Sequence, residues 1–150
     1  MYGQEQNSRE MILDEYRADV EGLLKYLPWL HKNAGQKLDS YYEGNGGEMN
    51  FKVPVYDSTL LAFVKEAEKT KFVSKNYPYV YTRYQIRNSD DEIRLMQAAK
   101  ISEIDLFKAI ISKYVLEGKR RGATWNEAVR KGIFKTALDC LNDLFFRYAP

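Results

Sequence analysis

The sequence predicts a mainly α fold: a single compact domain, built as a bundle of about five to six helices, with a minimal two-stranded β element near residues 51–56 and 77–86. Three observations predict it. A chain of 150 residues with 45% hydrophobic and 29% charged residues has enough apolar surface for one core and a soluble exterior. Most of its apolar residues recur three and four positions apart, the spacing of one helix face. Period-two alternation of apolar and polar residues is confined to two short stretches.

Ile12, Leu13, Tyr16, Val20, Leu23, Leu24 and Leu27 recur at helical spacing from Ser8 onward, with Asp14, Arg17, Glu21 and Lys25 off that stripe. Ser8 reads as the N-cap and Pro28 disfavours helical geometry at Leu27. Trp29 and Leu30 then fold back on the core. Residues 33–50 contain Gly35, Gly44, Gly46 and Gly47 without a sustained period, and read as a long polar loop. Phe51, Val53 and Val55 alternate with Lys52, Pro54 and Tyr56, an edge strand because Pro54 cannot donate to a ladder. Asp57 caps a helix from about Ser58 to Lys69 with Leu60, Phe63, Val64 and Ala67 on one face.

Tyr77, Tyr79 and Tyr81 alternate with Pro78, Val80 and Thr82, which predicts a strand paired with 51–56. Asp90, Asp91 and Glu92 open a helix that turns Ile93, Met96 and Ala99 inward, where acidic residues favour the positive end of the dipole. Ser102 and Asp105 read as a short capping box for a helix burying Ile104, Phe107, Ile110, Ile111, Tyr114 and Val115, with Gly118 as a left-handed C-terminal cap. Thr124 to Glu127 matches the full capping box of a short helix that Gly132 ends. A last helix from Ile133 to Arg147 presents Phe134, Ala137, Leu138, Leu141, Leu144 and Phe145 to the core.

The composition excludes several chemistries. His31 and Cys140 are the sole residues of their types, so no metal centre built from several such ligands and no disulfide within the chain can form. No cofactor motif is present: Gly44 to Gly47 lacks the Gly-Lys-Ser/Thr of a phosphate-binding loop. No apolar run approaches the length that spans a bilayer, and Glu5 and Glu10 interrupt the place of a secretory signal. A lone cysteine fits a reducing cytoplasm. The net charge of +2 conceals an asymmetry: residues 1–74 carry 9 basic against 12 acidic side chains, net −3, and residues 75–150 carry 14 against 9, net +5.

The residues that remain for function are surface residues. Lys119, Arg120 and Arg121 form a basic turn, followed by Arg130 and Lys131, a set that would contact nucleic-acid phosphates. Tyr77, Tyr79, Tyr81 and Tyr84 are the interface candidates, since a tyrosine buries its ring while its hydroxyl stays wet. Cys140 lies at the flank of the last apolar helix face, a packing position, and His31 has no motif around it.

The block from Val53 to Phe146, about two thirds of the chain, resembles a family of short bacterial proteins, the 6508 group of domains of unknown function. The resemblance rests on Val53, Val55 and Tyr56 before a Phe63-containing helix; on Ile110, Ile111, Lys113, Tyr114 and Val115 leading into a polar turn; and on Trp125, Glu127, Ala128, Gly132, Leu138 and Leu141 after it. It implies a small cytoplasmic bacterial or phage-associated domain and supplies no catalytic residues. The expected function is a non-enzymatic protein-interaction module, including self-association as a homodimer, with a nucleic-acid-binding regulator acting through 119–131 as the alternative. A pocket holding several desolvated acids would instead point to a hydrolase.

Overall fold

The computed structural model describes residues 2–36, 40–43, 52–55 and 57–147. Among them are eight α-helices, and the expected helical bundle is present. Helix α1 runs Tyr2–Leu24 and buries Leu13, Tyr16, Val20 and Leu23. Ser8 lies inside it and is not its cap. Gln4, Glu5 and Gln6, all good helix formers, carry the helix further toward the N-terminus. The chain breaks at Lys25 and Tyr26 and re-enters helix α2, Leu27–Asn33, with Pro28 in the first turn, where a missing N–H costs nothing. Leu27 is therefore helical despite the proline after it. Leu30 is fully buried and Trp29 packs against the core, as expected.

Of the polar loop expected at 33–50, residues 37–39 and 44–50 lie outside the described residues. Ser40–Glu43 (β1) pairs antiparallel with Lys52–Val55 (β2), Tyr42 opposite Val53. The expected pairing of 51–56 with 77–86 is not formed. Residues Tyr77–Tyr84 are helix α4, with Pro78 in the first turn and Gln85 closing it in the left-handed region at φ 57°. Tyr77 and Tyr81 satisfy both a period of two and an i,i+4 spacing, so alternation alone does not decide between strand and helix. Packing on a neighbouring helix decides it, overriding the β preference of Tyr, Val and Thr.

Helix α3, Ser58–Glu68, is capped by Asp57, whose carboxylate accepts the Thr59 and Leu60 N–H at 2.7 and 3.4 Å. Helix α5, Ser89–Ala98, is capped by Asn88 Oδ1, which accepts the Asp91 N–H at 2.9 Å. A 3₁₀ turn, Ile101–Glu103, precedes helix α6, Ile104–Gly118. The Ser102–Asp105 box is replaced by Glu103, whose carboxylate accepts the Lys100 N–H at 3.1 Å, because the turn starts before Ser102.

Ten of the fifteen residues of α6 are buried; α3, α4, α5, α7 and α8 pack against it, and α1 and α2 pack on α8. Ser112, buried on α6, donates to the Phe72 carbonyl and accepts the Ser74 N–H, both at 2.8 Å, which ties the segment between α3 and α4 to the centre. Gly118 is not a left-handed cap. A Cβ there would stand 1.9 Å from the Trp125 indole nitrogen, which donates to the Val115 carbonyl at 3.0 Å, so glycine is required by close approach.

Helix α7, Ala123–Arg130, starts before the Thr124 box can form, since Gly122 is already helical at φ −57° and ψ −27° and no side chain caps it. Gly132, at φ +75°, separates α7 from helix α8, Ile133–Asn142, as the sequence implied. A π-helical turn over Asp143–Arg147 extends α8 and buries Phe145. The rings of Phe63 on α3 and Phe134 on α8 pack tilted at 60°, with their centres 4.9 Å apart.

Candidate functional site

The most polar buried group is Glu92, in the first turn of α5, with only 1% of its surface exposed. Tyr81 from α4 donates its hydroxyl to Oε2, and Tyr114 from α6 donates to Oε1 at 2.5 Å. Lys113 Nζ lies 3.8 Å from Oε2 and sits over the rings of Tyr81 and Tyr114 at 5.0 and 5.3 Å. Both carboxylate oxygens are thereby satisfied, the charge is matched by the ammonium, and the helix dipole adds to both. Burial first, and then the adjacent Glu92 charge, holds both tyrosine hydroxyls well above the ordinary phenol range.

Sequence reasoning accounts for Glu92, with Asp90 and Asp91, by the helix dipole alone and misses this role. Its signal was the helical spacing of Glu92 to Met96 and Ala99, the inward face of α5.

The tyrosine set divides by helical face. Tyr77, Tyr81 and Tyr84 share the face toward α6, while Tyr79 points away and is 79% exposed. Tyr84 donates to Glu103 at 3.4 Å, and Tyr77 stacks edge-on against Tyr81. Burial and then Glu103 raise the Tyr84 hydroxyl, and burial and then Glu117 raise that of Tyr77.

Above Lys113 and Tyr114 opens a cleft of about 420 Å³ between the starts of α5 and α7 and the last turns of α6. Of the five basic candidates, the structure brings Arg121 and Lys131 to this cleft, beside Glu117 and Glu127. Lys119 turns away to Glu68 on α3, at 2.9 Å. Arg120 lies near Tyr77, and Arg130 is exposed at the end of α7, its carbonyl accepting the Gly35 N–H at 2.8 Å. The set thus forms no single cationic stripe among the described residues.

His31 and Cys140 are brought to the same end of the bundle, but the imidazole Nε2 bonds Asp139 Oδ1 at 2.8 Å. The half-buried Cys140 thiol is pushed up to about 11 by burial and by Asp139 and Asp143, the reverse of nucleophile activation. Among the described residues no group of three or more His, Cys, Asp or Glu is placed to hold a metal ion. No described helix is long and apolar enough to cross a membrane. No family model matches the chain, and neither a curated protein nor a solved structure matches it.

Proposed function

We propose that the chain is a non-enzymatic protein-interaction module whose contact surface is the outer face of α4. The observation that carries this reading is Tyr79: its ring is 79% exposed on a helix whose other tyrosines all face inward. Arg83, one turn on and with its side chain about half exposed, borders this face while its guanidinium reaches toward Asp105 of α6 at 3.9 Å and lies over the Tyr84 ring. Exposed Tyr and Arg side by side are the residue types that dominate binding energy at protein interfaces. Glu92 supports a non-enzymatic reading, since its two oxygens are occupied by tyrosine hydroxyls.

Self-association is the simplest form of such a contact, and membership of the 6508 group, with a bacterial cytoplasmic setting, belongs to the same proposal. A photo-crosslinking residue in place of Tyr79 gives an adduct with a second copy or another protein. The reading is abandoned if position 79 yields no adduct, and if light scattering gives a monomer for both the wild type and Tyr79→Ser.

The nucleic-acid reading draws on Arg121 and Lys131, exposed residues with no ion pair among the described residues. Its mark is binding that weakens steeply with salt and weakens further in the double variant R121A/K131A. Absence of a gel shift with either DNA or RNA at low salt eliminates it.

A further inference from the structure

The cleft above Glu92 holds charges of both signs that the fold does not set against each other. The backbone N–H groups of Arg121 and Lys131 bond the carbonyls of Glu117 and Glu127, so each base stands one helical turn after an acid, the order that favours ion pairing. Yet neither pair closes to ion-pair distance: the ion pairs of the described residues lie elsewhere. Lys113 on the floor is already matched by Glu92. Two cations and two carboxylates thus line one cavity outside any ion pair of the described residues, Glu117 also acting on the Tyr77 hydroxyl.

A simple anion entering it gains from the bases and is repelled by the acids, and a simple cation meets the reverse. A molecule that carries both charges gains from both. The volume, about 420 Å³, falls in the range of roughly 300–1,000 Å³ of small-molecule sites. The start of α7, without a side-chain cap, forms part of the rim and favours the anionic end of a ligand beside Arg121.

We infer that this cleft binds a small zwitterion of the α-amino-acid class, its carboxylate toward Arg121 and Lys131 and its ammonium toward Glu117 and Glu127. The site is separate from the outer face of α4, so it stands or falls independently of the protein-contact reading.

The test is a titration of the full chain, followed by amide NMR, with each of the common L-amino acids up to about 10 mM, a range that detects weak millimolar binding. Acetate, methylammonium and inorganic phosphate are titrated alongside. At least one amino acid gives saturable shifts centred on Lys113, Tyr114, Thr124 and Lys131, while acetate and methylammonium each bind roughly tenfold or more weakly. Arg121→Ala and Glu127→Gln, both at exposed positions, each weaken binding by about tenfold with the spectrum otherwise preserved. Three results overturn the inference: no amino acid saturates; phosphate or acetate binds as tightly as any amino acid; or Glu127→Gln leaves the affinity unchanged.

Discussion

Glu92 shows how a single residue can carry a charge into a helical core. A carboxylate removed from water is costly unless its oxygens find donors and its charge a partner, and here Tyr81, Tyr114 and Lys113 supply both. Glu92→Ala leaves two buried hydroxyls without an acceptor and Lys113 without its counter-charge. We expect a loss of about 3 kcal/mol in urea unfolding. A loss under about 1 kcal/mol would mean that the cluster is not buried as described.

The same two hydroxyls make stability depend on alkaline pH. Their folded values lie above the ordinary phenol value near 10, so the native state keeps protons that the unfolded chain releases. Their contribution is fully present below about pH 10 and is lost progressively above it. Urea midpoints fall between about pH 8 and about pH 11, and the fall is smaller in Tyr114→Phe. Equal falls in the two proteins would contradict the assignment.

At the scale of elements, the junction of α6 and α7 separates two readings of one stretch of sequence. In a helix, Gly→Ala gains about 1 kcal/mol from propensity. At Gly118 the added carbon would stand 1.9 Å from the Trp125 indole, and overpacking of that kind costs roughly 1–3 kcal/mol and displaces the indole from the Val115 carbonyl. Gly118→Ala is thus net destabilising, with blue-shifted or broadened tryptophan emission. Thr124→Ala changes stability by under about 0.5 kcal/mol, whereas a working capping box would lose about 1. The motif Thr-x-x-Glu is present in the sequence, but Gly122 is already helical and places Thr124 inside the first turn instead of at its cap. Asp57 shows the contrast: there the cap was legible and is made, because the residue before Ser58 is extended at φ −58° and ψ 136°.

Across the whole molecule, α6, against which α3, α4, α5, α7 and α8 pack, sets the order of local opening by its burial. Ten of its residues are buried, and α4, packed on it, has none buried. Hydrogen exchange follows: amides in the middle of α6 open only with global unfolding, and those of α4 exchange faster through local opening. Equal protection in α4 and α6 would show that the tyrosine helix is not an independent unit. The charge asymmetry between the halves is real as a count, but the fold redistributes it. Lys119 from the basic half pairs with Glu68 from the acidic half, and Arg121 and Lys131 share a cleft with two acids.

The sequence by itself determined the helical class, the buried stripes of α1, α3, α6 and α8, the Asp57 cap and the Gly132 break, because each depends on local spacing or on one residue's backbone preference. Only the tertiary structure decided that 77–84 is a helix, that three of its tyrosines turn inward, and that Glu92 is buried among them. Each of these depends on which distant residues lie opposite, and the Tyr81, Glu92 and Tyr114 cluster joins three helices whose contacts no local period encodes.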